Sequence, residues 1–332
     1  MSGPGPLADE DLSEAPEGPT PGFLAPALAT LTHEPFDDPG WIYERKLDGE
    51  RAVAVLKDGR AHLLSRNEKR LDATYPELVE ALPGRFGADA VLDGEVVTFD
   101  GNVTSFSRLQ KRMQVKDPER ARETGVAVFL YVFDVMHFAG RDLRGLPLRR
   151  RKAVLRRAGS FGGRVRFVPH RNEDGLAWLR EACDKGWEGL IAKRADAPYP
   201  DGRSRAWLKF KCEAGQELVI GGYTAPEGER SRFGALLVGH YDDGDLIYAG
   251  KVGTGFDEAT LADLHARMAE RERPSPPFAD PPDEDGITWV EPELVAEIGF
   301  TEWTDAGRLR HPRYLGLRRD KDPRDVVRED PS

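Results

Sequence analysis

Long apolar runs, early basic residues and a sizeable set of cysteines are all missing from this sequence. No stretch approaches the ~20 apolar residues that a helix needs to cross a bilayer. The first forty residues contain no Lys or Arg, which argues against a secretory or mitochondrial targeting segment. The two cysteines, Cys183 and Cys212, are too few for a disulfide framework or a four-cysteine zinc site. We therefore expect a soluble cytoplasmic protein without membrane contact.

A net positive charge is missing as well, since the formal net charge is −10. The acidity is concentrated in two segments. Residues 1–40 carry eight acids and no base, and residues 257–305 carry fourteen acids and three bases. The rest of the chain keeps a net charge of +9. Binding to phosphates depends on local patches rather than on total charge, so a nucleic acid is not excluded as a partner.

The first two thirds of the chain mix strand and helix patterns. Residues 1–20, rich in Gly, Pro, Asp and Glu, predict a disordered acidic tail. A hairpin is predicted over the Asp58-Gly59 turn, a strand-turn-strand unit about Asp93-Gly94, and a buried strand in Val126–Val135. Helical spacing is found in Tyr75–Leu82, Leu148–Ala158 and Gly175–Lys185. Together these patterns predict an α+β domain of mixed or antiparallel sheets and helices over residues 21–213.

The pattern changes in residues 214–321, where short strands are punctuated by glycine. The predicted strands are Glu217–Tyr223, Gly234–Gly239, Leu246–Val252, Trp289–Val290 and Val295–Ile298, with a helix at about Glu258–Glu272. Short strands with one inserted helix predict a small β-barrel domain of the OB-fold type. Residues 322–332 are assigned to a C-terminal tail.

One lysine lies at the end of an extended segment, in Glu44-Arg45-Lys46-Leu47-Asp48-Gly49-Glu50-Arg51. Taken alone, this segment fits a charged surface hairpin equally well. Further segments follow in order: Ser65-Arg66-Asn67, Leu92-Asp93-Gly94-Glu95, Val132-Phe133-Asp134-Val135, Trp187–Lys193, Trp207–Lys211 and a last cluster from Arg313 to Lys321. This series resembles the ATP-dependent DNA ligases of the covalent nucleotidyltransferase superfamily, most closely the ligase module of bacterial end-joining ligase D. The resemblance covers roughly residues 22–321.

A nucleophilic lysine explains the first motif. A free lysine has a pKa of about 10.4, so a nucleophilic lysine is activated by cationic neighbours or a metal ion. The resemblance implies that Lys46 attacks the α-phosphate of ATP, forms lysyl-AMP and passes the AMP to a 5′-phosphate of DNA. Negative charge grows in that displacement, and fixed cations stabilise it. Lys209 and Lys211 alternate about Phe210, so both amines face one side of a strand. The resemblance places them on the α-phosphate; solvated lysines on an amphipathic strand are the alternative.

The rest of the nucleotide site is implied by the resemblance. Glu44 corresponds to the residue that reads the adenine amino group. Phe133 corresponds to the residue that stacks on adenine, although its apolar surroundings also fit plain core packing. Arg51 and Arg66 would contact the ribose and phosphates, and Lys193 belongs to the same site.

Glu95 and Glu188 are the candidate metal ligands. Each stands beside a glycine, where a tight backbone lets a carboxylate project into a site. The resemblance implies that Glu95 serves the ribose and a Mg²⁺ or Mn²⁺ ion, and that Glu188 helps to hold the ion. Mg²⁺ is bound by few carboxylates together with phosphates and water, so a sparse acidic set is expected. Ordinary turn carboxylates are the alternative, and Asp48 could be structural within its turn.

The last cluster, with Arg318, Arg319 and Lys321, implies a moving second domain. In the family this domain closes over the nucleotide so that the cluster orients the leaving pyrophosphate, and closure of this kind completes many active sites. A basic segment that binds DNA directly is the alternative.

Basic residues also continue outside the motifs. Residues 141–157 carry eight bases against one acid, and Lys111-Arg112 and residues 203–205 add more. We expect these segments to follow DNA phosphates. The resemblance implies nicked or broken double-stranded DNA as the substrate, with a Ku-type end-binding protein as a further partner, in DNA repair or double-strand end joining. We expect a monomer near the nucleoid.

Three other functions fit parts of this sequence. An mRNA capping enzyme shares the lysine and the OB-fold domain, but the Glu44 position and the Arg318–Lys321 cluster favour ATP and ligation. An NAD-dependent ligase is expected to carry an additional N-terminal domain and a cysteine-rich zinc module. A non-catalytic nucleic-acid-binding module would form no covalent adduct with AMP.

Overall fold

The computed structural model describes residues 12–32, 34–113, 115–212, 215–226 and 232–329. The described residues form two compact units, one ending at Cys212 and the other covering residues 215–329. No helix among them is long and apolar enough to cross a membrane.

Among the described residues, thirteen strands and five α-helices build the first unit. The strands are β1 Leu28–Leu31, β2 Trp41–Arg45, β3 Glu50–Lys57, β4 Arg60–Ser65, β5 Ala90–Val97, β6 Phe99–Asp100, β7 Val103–Thr104, β8 Phe129–Phe138, β9 Arg141–Asp142, β10 Val165–Phe167, β11 His170–Arg171, β12 Gly189–Arg194 and β13 Arg203–Lys211. The helices are α1 Pro76–Ala81, α2 Phe106–Met113, α3 Pro118–Glu123, α4 Leu148–Ala158 and α5 Gly175–Asp184. The predicted helices therefore correspond to α1, α4 and α5.

Two main sheets lie face to face in this unit. Sheet A has the order β10-β8-β5-β3-β4, with β9 paired to β8, and sheet B has the order β1-β13-β12-β2-β11. One face of sheet A packs on α1, α2 and α4 through a large apolar cluster that includes Leu78, Leu109 and Leu155. A second cluster, with Val53 and Trp207, fills the space between the sheets. Helix α5 covers the outer face of sheet B through Trp178.

The hairpin predicted over Asp58-Gly59 is confirmed as β3–β4. Residues pair from Ala52 with Ser65 to Lys57 with Arg60. Asp58 and Gly59 have φ of 51° and 72°, and positive φ at both central residues is what a two-residue hairpin of type I′ requires.

The turn predicted at Asp93-Gly94 is wrong, because β5 runs unbroken from Ala90 to Val97. Its glycine serves a close approach instead of a turn. A Cβ atom on Gly94 would lie 2.7 Å from the carbonyl oxygen of Tyr131 on the neighbouring strand β8. The Asp-Gly pair thus marks a tight strand contact in the middle of sheet A.

The disordered tail predicted for residues 1–20 is wrong for residues 12–20, and residues 1–11 lie outside the described residues. Ala15 is only 3% exposed and joins the core of sheet A. The amide of Gly18 donates to the carbonyl of Gly140 at 2.9 Å, and the amide of Asp142 donates to that of Pro16 at 2.9 Å. Ordering these residues costs conformational entropy, and the segment has few apolar side chains to compensate it. These backbone hydrogen bonds contribute to offsetting that cost.

Among its described residues, the second unit has a six-stranded sheet, a separate two-stranded sheet and one α-helix. Its strands are β14 Gly215–Thr224, β15 Leu236–Asp242, β16 Asp245–Val252, β17 Glu272–Arg273, β18 Ile287–Gly299, β19 Glu302–Trp303, β20 Leu309–Arg310 and β21 Arg313–Leu317, and the helix is α6 Glu258–Ala269. The strand order is β16-β15-β14-β18-β17, with β21 paired to β18. Two predicted strands, Trp289–Val290 and Val295–Ile298, are parts of the single strand β18. Within residues 215–226 and 232–329 no ladder joins β16 to β17 or β21, so the predicted barrel is not closed by hydrogen bonds.

The C-terminal tail assigned from residue 322 onward packs on this unit over residues 322–329. Val326 is 5% exposed, and its carbonyl accepts a hydrogen bond of 2.7 Å from the amide of Tyr241. Pro323–Asp325 forms a 3₁₀ turn. Residues 322–329 of the predicted C-terminal tail are therefore part of the second unit.

Candidate active site

Neighbouring strands of sheet B bring the predicted lysines to one face. The Lys46 amide, just beyond β2, donates to the carbonyl of Gly189 on β12 at 2.9 Å. Gly189 is in turn the register partner of Lys211 on β13. Glu44 and Lys209 form the next row, since both pair with the same residue of β12. Because side chains alternate along a strand, these four charged residues lie on the face of sheet B that is turned toward sheet A.

Gly189 explains how Glu188 reaches Lys46. A Cβ atom on Gly189 would lie 2.0 Å from the carbonyl oxygen of Phe210, and its φ of +142° also favours glycine. Because Gly189 has no side chain, β12 can begin at this residue close to β13, and Glu188 immediately precedes the strand. The Lys46 Nζ forms an ion pair with the Glu188 carboxylate, and the two side chains are 17% and 26% exposed. The predicted nucleophile and a predicted metal ligand are thus adjacent and accessible.

Sheet A contributes an arginine held by a buried carboxylate. Arg51 on β3 donates from Nε and Nη2 to Asp93 at 2.6 and 2.7 Å, and from Nη2 to the Ala27 carbonyl at 3.0 Å. The Tyr199 hydroxyl donates to the same carboxylate at 2.5 Å. Arg51 is therefore fixed in place, and its guanidinium lies 4.8 Å from the ring centre of Phe133.

A buried cluster of three charges stands next to this ring. Glu44, Lys152 and Lys193 are each 2% exposed. The Lys193 Nζ lies 2.7 Å from Glu44 Oε2, and the Lys152 Nζ donates to Glu44 Oε1. Burial raises the pKa of Glu44, but Lys152 and Lys193 outweigh that effect and hold it below its ordinary value. Burial lowers the pKa of Lys193. Glu44 is accordingly a charged carboxylate inside the unit.

Phe133 lies between the sheets, 8% exposed, within the cluster that contains Trp207. The Lys193 Nζ is 4.2 Å from its ring centre and 3.9 Å from that of Trp207. The ring meets Trp207 edge-on, with centroids 6.1 Å apart. Phe133 thus packs in the core and also borders the buried charges, so both interpretations of this residue remain compatible with its position.

Glu95, Arg66 and Asp48 are the remaining predicted residues of the first unit. Glu95 is the register partner of Arg51 and shares its face of sheet A. Arg66 is partly buried in the turn after β4. Asp48 accepts a hydrogen bond of 3.4 Å from the Phe106 amide at the start of α2.

A divalent ion at Glu95 and Glu188 would have to draw most of its ligands from substrate and water. The described residues contain no group of three or more His, Cys, Asp or Glu side chains placed to hold a metal. Mg²⁺ is commonly held by one or two carboxylates together with phosphate oxygens. The hard oxygen donors of these two residues fit such an ion.

The basic cluster near Arg318 belongs to the second unit, where each base has an acidic partner. Arg318 donates to Asp320 at 3.1 and 2.9 Å. The Lys321 Nζ lies 2.9 Å from the Glu217 carboxylate. Burial raises the pKa of Asp320, and Arg318 more than reverses that effect. Arg318 is therefore a rigid cation on this unit.

Comparison with known families identifies both parts of the chain. Residues 24–211 match the family model described as ATP dependent DNA ligase domain, and residues 229–321 match ATP dependent DNA ligase C terminal region. This chain belongs to the ATP-dependent DNA ligases. The predicted fold class, a nucleotidyltransferase domain followed by an OB-fold domain, is confirmed, with the open sheet described above.

Among similar proteins, this ligase is 36% identical to the multifunctional non-homologous end joining protein LigD of Pseudomonas aeruginosa, over 95% of this chain and 38% of that protein. It is 39% identical to the LigD protein of Mycobacterium tuberculosis, over 92% of this chain and 40% of that protein. A solved structure described as mycobacterial DNA ligase D complexed with ATP and MES has a TM-score of 0.65 and 37% identity, and the match covers 92% of this chain and 98% of that one. The ligase thus spans about two fifths of the length of these curated relatives.

Part of the basic surface predicted for DNA is buried. Arg112, Arg151 and Lys152 are 1%, 0% and 2% exposed, and Arg151 makes a two-pronged ion pair with the buried Asp134 at 2.8 and 2.9 Å. The prediction that these three follow phosphates is wrong. The helical spacing could have predicted this burial for two of them. Positions 151 and 152 lie on the same face of α4 as the apolar residues Leu148 and Leu155.

Proposed function

We propose that this ligase transfers AMP from ATP to Lys46 and then to a 5′-phosphate, and that it seals 5′-phosphate/3′-hydroxyl breaks in double-stranded DNA. The proposal rests chiefly on one observation: the Lys46 amine contacts Glu188 on a sheet face that Lys209 and Lys211 share. An amine, a carboxylate and two further cations on one face form the set that phosphoryl transfer from ATP requires.

In the proposed first step, the neutral Lys46 amine attacks the α-phosphate of ATP, a P–N bond forms, and the P–O bond to pyrophosphate breaks. The amine proton leaves the nitrogen, and Glu188 is within reach to accept it. Lys209 and Lys211 stabilise the charge that grows on the α-phosphate oxygens. In the later steps the 5′-phosphate of DNA displaces lysine, and the 3′-hydroxyl displaces AMP.

A Mg²⁺ or Mn²⁺ ion is part of the proposal, with Glu95 and Glu188 as its protein ligands. Such an ion would neutralise part of the negative charge on the phosphate oxygens of ATP.

Glu44 and Phe133 form the proposed base site, with Arg51, Arg66 and Lys193 around it. We assign residues 21–213 to the adenylation domain and 214–321 to the OB-fold domain. Arg318 and Lys321 would meet the leaving pyrophosphate when the OB-fold domain closes. Arg318 is suited to this role because Asp320 already fixes its guanidinium, so little side-chain entropy is lost on binding.

End joining is the proposed setting. The two relatives named above are described as non-homologous end joining proteins. A monomeric DNA ligase near the nucleoid, with a Ku-type protein that holds the DNA ends, would be consistent with that description.

The test is formation of the covalent adduct. The protein is incubated with ATP and a divalent ion, and its intact mass is measured. We expect a gain of one AMP that Lys46→Ala and Lys46→Arg abolish. Lys185→Ala is the matched control, since Lys185 is an exposed lysine that also pairs with a glutamate.

An adduct that survives in Lys46→Ala would refute Lys46 as the nucleophile. A wild-type protein that forms no adduct would point to a non-catalytic DNA-binding module. Adduct formation from GTP in preference to ATP would indicate capping chemistry. Sealing of a nicked duplex by the adenylylated wild-type protein completes the test.

A further inference from the structure

A second buried lysine, Lys152, faces the proposed base site, although it lies outside the sequence motifs. It stands on α4, and its ammonium donates to Glu44 and to the carbonyl oxygens of Phe133 and Val168, both at 3.2 Å. An ammonium has three protons, so these three acceptors use them all. Lys152 therefore joins the Glu44 carboxylate to the backbone of the ring residue Phe133 through directed hydrogen bonds.

Lys152 is not needed to neutralise Glu44. Lys193 already supplies a counter-charge at 2.7 Å, and both lysines are 2% exposed. Two buried ammonium groups therefore share one carboxylate, and the excess positive charge costs desolvation energy that an ion pair alone would avoid. What the second lysine adds is direction: it fixes one carboxylate oxygen relative to the ring.

A fixed carboxylate can distinguish the two purines. A carboxylate only accepts hydrogen bonds. Adenine carries an amino donor at its 6-position, where guanine carries an oxygen acceptor. A carboxylate held at the 6-position would accept from the amino group of adenine and repel the oxygen of guanine, whereas a mobile one could turn aside and admit either base.

We propose that Lys152 is a positioning residue that holds the Glu44 carboxylate beside Phe133 and thereby sets the preference for adenine over guanine nucleotides. The inference rests on the proposed function, because it takes Phe133 and Glu44 as the base site. Lys152 itself does not touch the reacting phosphates; it acts through Glu44.

Lys152→Met removes the ammonium and keeps most of the side-chain length. Glu44 retains Lys193 as a counter-ion, so no buried charge is left alone, and we expect the variant to fold. The ratio of ATP to GTP affinity should fall about tenfold or more, which corresponds to ~1.4 kcal/mol. At saturating ATP the rate of adduct formation should stay close to wild type, because Lys46, Lys209 and Lys211 are unchanged.

Affinity is measured without turnover in a Lys46→Ala background, by calorimetry with ATP and with GTP. Lys152→Gln keeps an N–H donor without the charge and should recover part of the preference. Arg156→Met is the matched control, because Arg156 lies one turn further along α4 and packs over the ring of Phe167, as Lys152 does. It should leave the ATP to GTP ratio unchanged.

A lower ratio in Lys152→Met that is partly restored in Lys152→Gln supports the proposal. An unchanged ratio overturns it, and so does a parallel loss for both nucleotides with a lower melting temperature, since that would show a purely structural role. If Lys152→Met does not fold, the ratio in Lys152→Gln decides in the same way. Absence of the Lys46–AMP adduct in the wild type would instead refute the proposed function itself.

Discussion

The Arg51–Asp93 pair allows a structural role of Arg51 to be separated from a role in binding substrate. Asp93 is 0% exposed, whereas Arg51 keeps 18% of its side chain exposed. Arg51→Met would leave a fully buried carboxylate with Tyr199 as a remaining donor. Asp93→Asn would leave a cation that still reaches solvent. The two substitutions should therefore have unequal effects on stability.

The magnitude follows from the geometry. The two shortest N–O distances are 2.6 and 2.7 Å, so the charge centres are about 4 Å apart and attract by ~4 kcal/mol at an effective dielectric constant of ~20. Loss of one partner from a buried pair typically costs about 3–5 kcal/mol. We expect Arg51→Met to lower the free energy of unfolding by about 3–5 kcal/mol and Asp93→Asn by about 1–3 kcal/mol.

Urea unfolding of the full chain, followed by tryptophan fluorescence, measures these differences. Trp207 lies 5.9 Å from the Arg51 guanidinium and reports on this region. The Arg51→Met/Asp93→Asn double variant should be less destabilised than the sum of the single variants, because it leaves no buried charge unpaired. Equal losses below ~1 kcal/mol for both single variants would show that the pair is solvated and that Arg51 is available to a substrate.

Three further predictions concern catalysis and pH. Glu188→Ala should lose metal-dependent adduct formation while its melting temperature stays near wild type; an unaffected rate, or full wild-type activity in EDTA, would contradict the metal role. Changing both Arg318 and Lys321 to Ala should block the adduct but leave sealing of pre-adenylated nicks largely intact, as should Lys46→Ala. Equal loss in both steps would make the cluster part of a general DNA clamp. Burial lowers the pKa of His170 to about 4, while an unfolded histidine titrates near ~6.5. The free energy of unfolding should therefore fall as the pH decreases from about 6.5 to about 4, and His170→Gln should flatten that slope in urea titrations.

The sequence predicted best what is encoded locally. The hairpin over Asp58-Gly59 needs only two residues that tolerate positive φ, and the alternation of Lys209, Phe210 and Lys211 needs only a strand. The ligase resemblance likewise rests on short segments in order. Each of these features can be read without knowing which strands become neighbours.

The errors arose where distant parts of the chain decide the outcome. Lys152 is buried because it contacts Glu44, which lies 108 positions away in the sequence. The run of basic residues around Lys152 gives no sign of that contact. Asp93-Gly94 has the composition of a turn, but the approach of β8 determines its conformation. Residues 13–20 contain no large apolar side chain, yet backbone hydrogen bonds to residues near Gly140 hold them in place. Local composition carries no information about such partners.

The two cysteines form a disulfide between Cys183 and Cys212, 29 positions apart. The loop that this bond closes contains Glu188, all of β12, and all of β13 with Lys209 and Lys211. Even in the unfolded chain these three residues stay within one covalent ring. A ring of this size reduces the entropy of the unfolded state by an amount equivalent to roughly 3–4 kcal/mol. Lys46 lies outside the ring. Folding must therefore bring the nucleophile to Glu188, Lys209 and Lys211, which the disulfide already keeps close to one another in the unfolded chain.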